Sequence, residues 1–428
     1  MPTFGSRGTL VAGVVALLVL ITGCSGGGGT GASGSGAGVN AGGVAPFTVQ
    51  ASDLGIHSWS TKPQVPAGSL RMSCAPSWAE TEPARGTFEW GHFDRLLARA
   101  EAWGFKDILF VFCGTPAWAG RDVPQPKVEV QGPRSTSPPT NLDDWSAYVS
   151  AVAQRYKGRI TGYEVWNEAT SPQFYQGSMD TMADMTQRAY TAIKAADPAA
   201  TVTTASIQTH IPKSLNTLGK DYLAALGARQ WPVDVFNAHG YPAGTTGLQG
   251  RRAQLDAFKN LLRETGAPAK PLWDTEDNYE VSLPGGEPDG RIVGDQAAAW
   301  TAVSYLDGWR QGYQRTYWYL WSDAYVGFVG IQMRAGDPAT AALSTLGDWT
   351  IGTRYQGCDE AGGLVTCHFQ GTGAAGKPAD FDIVYALGDS AQATVAGERN
   401  ACPLYGSPCR KVSGQLAVTS MPVRLSAA

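Results

Sequence analysis

Two short stretches decide how this chain folds: Thr161-Gly162-Tyr163-Glu164-Val165-Trp166-Asn167-Glu168 and Pro271-Leu272-Trp273-Asp274-Thr275-Glu276. Each is a strand-favouring run of aromatic and β-branched residues that ends on a glutamate. Because side chains alternate across a strand, Glu164, Trp166 and Glu168 are expected on one face of the first, and Asp274 and Glu276 on one face of the second. At about 3.3 Å per residue, Glu164 lies roughly 13 Å deeper than Glu168, and Asp274 roughly 7 Å deeper than Glu276. The terminal glutamates are thus placed to meet a ligand, and the inner acids are expected in buried salt bridges.

Six further runs of this kind occupy 54–59, 69–74, 107–113, 201–207, 233–238 and 315–321. Amphipathic stretches separate them. Phe93, Leu96, Leu97 and Ala100 recur at i, i+3, i+4 and i+7, as do Trp145, Tyr148, Val149 and Val152, which predicts helices with one buried face. Eight strands alternating with helices predict an α/β fold, a (β/α)8 TIM barrel, over 47–342. From 343 to 428 the pattern changes to Gly-rich, strand-length segments such as 363–369 and 381–386, which predicts a small C-terminal all-β domain. Its role is either to pack against the barrel or to bind carbohydrate as a module.

In a TIM barrel the functional side chains gather at the C-terminal ends of the strands. That rule selects Arg71, Asn167, Glu168, His239, Tyr241, Glu276 and Trp321, with His57, Trp78, Glu80 and Trp118 as weaker candidates. Strands four and seven face each other across one mouth, so Glu168 and Glu276 can act as a pair. Glycosidic cleavage needs that pair: one carboxylic acid to protonate the leaving oxygen, and a second carboxylate to attack the sugar carbon or activate water.

At these positions the chain resembles clan A retaining glycoside hydrolases. Tyr163-Glu164-Val165-Trp166-Asn167-Glu168 is similar to their acid/base motif, Leu272-Trp273-Asp274-Thr275-Glu276 to their nucleophile strand, His239-Gly240-Tyr241 to their sixth-strand His-x-Tyr, and Trp321 to their eighth-strand tryptophan. Trp78-Ala79-Glu80-Thr81-Glu82-Pro83, Gly86-Thr87-Phe88-Glu89-Trp90 and Thr115-Pro116-Ala117-Trp118 fit the same pattern. The resemblance spans roughly 52–345 and runs nearest to family 39, which includes xylosidases, iduronidases and biofilm-polysaccharide hydrolases. It implies Glu168 as acid/base with a raised pKa and Glu276 as nucleophile kept ionised by Arg71 and Tyr241. It further implies that Asn167 binds the sugar 2-hydroxyl, that His239 orients the acid/base or touches substrate, and that Trp321 floors the sugar subsite.

Residues outside the barrel speak to compartment. Arg7 and the apolar run 11–21 form a signal segment, too short to span a bilayer, expected over 1–23. Ile21-Thr22-Gly23-Cys24 resembles a bacterial lipobox, with Cys24 lipidated; an ordinary signal peptide is the alternative. A Gly/Ser-rich tether is expected over 24–46. The expected location is therefore extracytoplasmic, lipid-anchored to a bacterial cell membrane. Setting Cys24 aside, six of the 7 cysteines remain, which suits three disulfides in an oxidising compartment. Cys358–Cys367 would staple a hairpin, Cys402–Cys409 a Pro-rich loop, and Cys74–Cys113 two neighbouring strands, with buried free thiols as the alternative for the last pair. A net charge of −4 without a basic cluster argues against nucleic acid as a partner. The expected partner is a polysaccharide or oligosaccharide, the expected state a monomer. With 5 histidines and no HExxH, no metal is expected, and no cofactor, since neither a P-loop nor a dinucleotide fingerprint occurs. The competing reading is a lipoprotein that binds a solute or glycan without turnover. The Pro-rich stretch 124–140 is expected as a loop beside the cleft.

Overall fold

The computed structural model describes residues 43–124, 134–280, 291–371 and 379–428. The signal segment, Cys24 and its lipid, the tether as far as residue 42 and most of the 124–140 loop lie outside the described residues.

Every predicted run contains a strand: β1 (Leu54–Ser58), β2 (Ser69–Met72), β3 (Asp107–Val111), β4 (Gly162–Glu164), β5 (Thr201–Thr203), β6 (Phe236–Gly240), β7 (Leu272–Asp277) and β8 (Tyr313–Trp321). Neighbours pair in parallel from β1 to β5, and from β6 through β8 back to β1. The fifth strand is interrupted, and its continuation Ile207–Gln208 pairs with β6. Ring closure is completed by the Val202 carbonyl, which accepts from the N–H groups of Asp234 at 2.7 Å and Val235 at 3.3 Å. Among the described residues eight α-helices accompany the ring: α1 (Trp78–Thr81), α2 (Gly91–Ala102), α3 (Leu142–Arg155), α4 (Met179–Ala196), α5 (Lys220–Ala228), α6 (Gly247–Glu264), α7 (Gly294–Arg310) and α8 (Pro338–Thr350). The chain is a TIM barrel. The predicted apolar stripes hold, with Phe93, Leu97 and Ala100 buried on α2 and Trp145, Tyr148, Val149 and Val152 on α3.

Inside the ring, Leu109, Val235, Trp273 and Tyr317 form one apolar plug. Gly55 makes room for it, since a Cβ there would sit 2.4 Å from the Tyr317 ring.

Residues beyond the barrel form one antiparallel sheet built from β9 (Arg354–Ala361), β10 (Leu364–Gln370), β11 (Phe381–Ala386), β12 (Ala391–Pro403), β13 (Arg410–Val418) and β14 (Val423–Ala427). The short strand Phe47–Thr48 adds to the β9 edge. The expected boundary at 342/343 falls inside α8, whose buried face packs against α7, so the change of architecture comes at 351–353. Trp309 of α7 is gripped by Phe47 and Tyr355, each 5.7 Å away between ring centroids. Glu360 accepts from Arg252 at 3.0 Å and from Arg310 at 2.8 Å. This sheet shares its core with the barrel, the packing role of the two considered for it.

All three disulfides join the expected partners. Cys74–Cys113 ties the ends of β2 and β3, Cys358–Cys367 links directly paired residues of β9 and β10, and Cys402–Cys409 closes the β12–β13 turn.

Candidate active site

A cleft of about 730 Å³ opens at the C-terminal ends of the barrel strands, and Glu168 and Glu276 both line it. One carboxylate oxygen from each, together with a His239 ring nitrogen, fall within 4.8 Å of one another. The two carboxyls of a retaining glycosidase stand about 5–5.5 Å apart and those of an inverting one about 6.5–9.5 Å, so oxygens this near one another lie on the retaining side of that division.

Arg71, fully buried on β2, organises the floor. Its Nε and Nη2 donate to the two oxygens of Glu164 at 2.8 and 2.6 Å, and Nη1 donates to Glu276 Oε1 at 2.5 Å. Nη2 also donates to Asn167 Oδ1 at 2.9 Å, which leaves the Asn167 amide N–H groups as the part that can donate to a ligand. Tyr241 OH donates to Glu276 Oε2 at 2.8 Å. Burial raises the Glu276 carboxyl above its usual range, and the Arg71 charge and the Tyr241 hydrogen bond offset part of that rise.

Glu168 lacks such a cation. Its Oε2 accepts from Gln208 Nε2 at 2.7 Å, and its Oε1 faces His239 Nδ1 at 2.9 Å. Burial and the Arg71 charge hold the His239 imidazole well below its usual pKa, so it stays neutral. Burial and the Glu276 charge push the Glu168 carboxyl well above the usual range. The Glu168 carboxyl is thus pushed further toward its protonated form than Glu276, whose anion Arg71 and Tyr241 support, an asymmetry of the kind that acid/base and nucleophile roles require. Glu168 sits at φ +43°, in the left-handed region, at a cost on the order of 1–2 kcal/mol. The Ser206 hydroxyl, 2.8 Å from the Glu168 N–H, anchors that backbone.

Both inner acids are in buried salt bridges, but the alternation argued from sequence fails beyond Glu164 and within β7. The β7 register slips by one residue at Thr275, so Asp274 and Asp277 share the face turned to Arg251 of α6, at 2.7 and 2.8 Å, while Glu276 faces the cleft. Likewise β4 ends at Glu164, and Trp166 packs on Trp145 of α3 instead of sharing a face with Glu168.

Of the expected substrate-binding residues, Asn167 and Tyr241 line the cleft, Arg71 and His239 lie buried behind its glutamates, and Trp321 does not line it. A shift of register between Trp318 and Trp321 turns it away, buried, with Nε1 donating to Thr61 Oγ1 at 3.0 Å. Tyr319 occupies the cleft wall instead, flanked by the exposed rings of Trp59 and Phe328, each 6.0 Å from it. His239 is fully buried and touches Glu168, so of its two expected roles the geometry matches orientation. Among the weaker candidates only Glu80 lines the cleft; His57, Trp78 and Trp118 do not. Sequence reasoning overlooked Gln208, His210, Glu280 and Tyr319. Gln208 follows the fifth predicted run immediately, so the strand-end rule applied to strand five would have found it.

Among the described residues, Glu168, His239 and Glu276 are the set whose donor atoms could converge on a metal ion. The Arg71 guanidinium already neutralises that floor from 2.5 Å, and a dication there would meet its charge directly.

The fold, a barrel with a β-sheet packed on its outer helices, is similar to that of several solved glycoside hydrolases. A family 39 glycoside hydrolase from the gut symbiont Bacteroides cellulosilyticus superposes with a TM-score of 0.62 at 16% identity, over 90% of this chain and 83% of that one. A family 39 β-xylosidase from Caulobacter crescentus gives 0.59 at 15% identity, over 91% and 98%, and a glucosidase from Croceicoccus marinus 0.54 at 11%, over 91% and 98%. No protein-family profile and no curated protein matches the sequence.

Proposed function

We propose that this chain is a retaining glycoside hydrolase that cleaves O-glycosidic bonds of an extracellular or cell-envelope polysaccharide by double displacement. The observation that carries this reading is the carboxylate pair itself: two glutamates with oxygens within 4.8 Å in one cleft, one paired with Arg71 and Tyr241 and the other held by Gln208 and His239. Glu276 attacks the anomeric carbon while Glu168 protonates the leaving oxygen. Glu168 then deprotonates the water that hydrolyses the glycosyl-enzyme. His239 and Gln208 hold Glu168 in place, and Asn167 faces the sugar. Tyr319, Trp59 and Phe328 offer faces on which sugar rings stack. Cys24 carries the lipid that retains the enzyme at the outer face of the membrane.

The test is a screen of envelope and plant glycans with wild type and Glu168→Gln side by side, followed by labelling with the 2-fluoro glycoside of the preferred sugar. One added sugar mapped to Glu276 is expected. Binding of glycan without any turnover would instead establish the non-catalytic reading.

A further inference from the structure

Among the polar side chains of the cleft with no part in the double displacement, two stand side by side: Glu280, just past β7, and His210, just past Ile207–Gln208. His210 Nε2 lies 3.6 Å from Glu280 Oε1, too far for a hydrogen bond and close enough for both to grip one ligand group. His210 Nδ1 is buried and has no hydrogen-bond partner among the described residues. Its ring meets that of Tyr241 at 5.9 Å, and Tyr241 holds Glu276, so the pair stands one residue away from the proposed nucleophile. Burial lowers the His210 pKa to about 4, leaving a neutral ring that both donates and accepts near pH 7.

Glu280 is held by its backbone. Its N–H donates to Pro242 O at 2.9 Å, and its carbonyl accepts from Gly244 N at 3.1 Å. With the backbone anchored at the cleft, the two carboxylate oxygens can accept two O–H groups at once, as a vicinal diol offers. The remaining charge in the cleft points the same way. Among the described lining residues the ones with carboxyl groups are Glu80, Glu168, Glu276 and Glu280; none is Lys or Arg, and Arg71 below is committed to Glu164 and Glu276. A sugar carboxylate entering here would find no cation and several carboxyls.

We infer that Glu280 and His210 are the specificity-determining pair of the subsite at Glu276, and that they select a neutral sugar through adjacent hydroxyls and reject uronic acids. This rests on the glycosidase reading, and the experiment separates the two. Wild type, Glu280→Ala and His210→Phe are assayed on 4-nitrophenyl xyloside, glucoside, galactoside, mannoside and glucuronide, and on the matching oligosaccharides. The best neutral substrate is then compared with its monodeoxy analogues.

A neutral sugar should exceed the glucuronide in kcat/KM by about 100-fold or more. Glu280→Ala should lose about 10–100-fold on the intact sugar, the scale of a hydrogen bond to a charged group. On the one deoxy analogue that lacks the Glu280 contact it should lose almost nothing, a convergence that a merely structural residue would not produce. Preference for the glucuronide, or losses that multiply independently for every deoxy analogue, would overturn the inference while leaving the glycosidase reading intact. A wild type inert on every substrate would refute both.

Discussion

Tyr241→Phe isolates the one hydrogen bond that, with Arg71, favours the charged form of Glu276. The ring and its packing stay, and only the hydroxyl that donates to Oε2 at 2.8 Å is removed. A hydrogen bond to a charged acceptor contributes about 1.5–3 kcal/mol, and one pKa unit corresponds to about 1.36 kcal/mol, so the carboxyl should rise by about 1–2 units. Little water can compensate, because the Glu276 side chain is only 10% exposed. The lost bond stabilised the anion, so the nucleophile ionises at higher pH and the acidic limb of the kcat/KM profile moves upward by that amount. The basic limb, set by Glu168, should stay in place. The assay is initial-rate kinetics on one aryl glycoside from pH 3.5 to 9. An acidic limb that stays where it is while rates fall evenly at every pH would show that Tyr241 acts on the substrate, and the account of how Glu276 is kept charged would be wrong.

Two further outcomes follow from the buried charges. The folded state keeps a proton on Glu168 that the unfolded chain releases above about pH 4.3, so this group lowers stability as pH rises from that value to its raised folded pKa. Glu168→Gln should therefore unfold at a higher temperature than wild type at pH 7.5, with the difference gone by pH 4, as read by calorimetry. Arg251→Met strands Asp274 and Asp277, both fully buried, and should cost about 3–5 kcal/mol in urea unfolding. The control Arg159→Met breaks the half-exposed pair with Glu101 and should cost less than about 1 kcal/mol.

Much of this protein is readable from local pattern. The eight apolar runs, the helical stripes of α2 and α3, and the three cysteine pairs depend on burial period and chain proximity, which a linear sequence records directly. The strand-end rule also brought Arg71, Asn167, Glu168, His239, Tyr241 and Glu276 to one mouth, because in a parallel barrel all strands end on the same side. Alternation along a strand is a weaker guide, since a single bulge reverses it. That is why Asp274 turned outward to α6, Trp321 left the cleft wall and Tyr319 took its place.

What the sequence by itself determined, then, is the barrel and the identity of the two cleft glutamates. Only the tertiary structure decided their difference. Glu168 and Glu276 are the same residue type at equivalent strand ends, and they diverge because Arg71 reaches across from β2 to one of them while burial and neutral partners surround the other. Protonation depends on charge and water within a few ångströms, and those neighbours come from strands far apart in the chain.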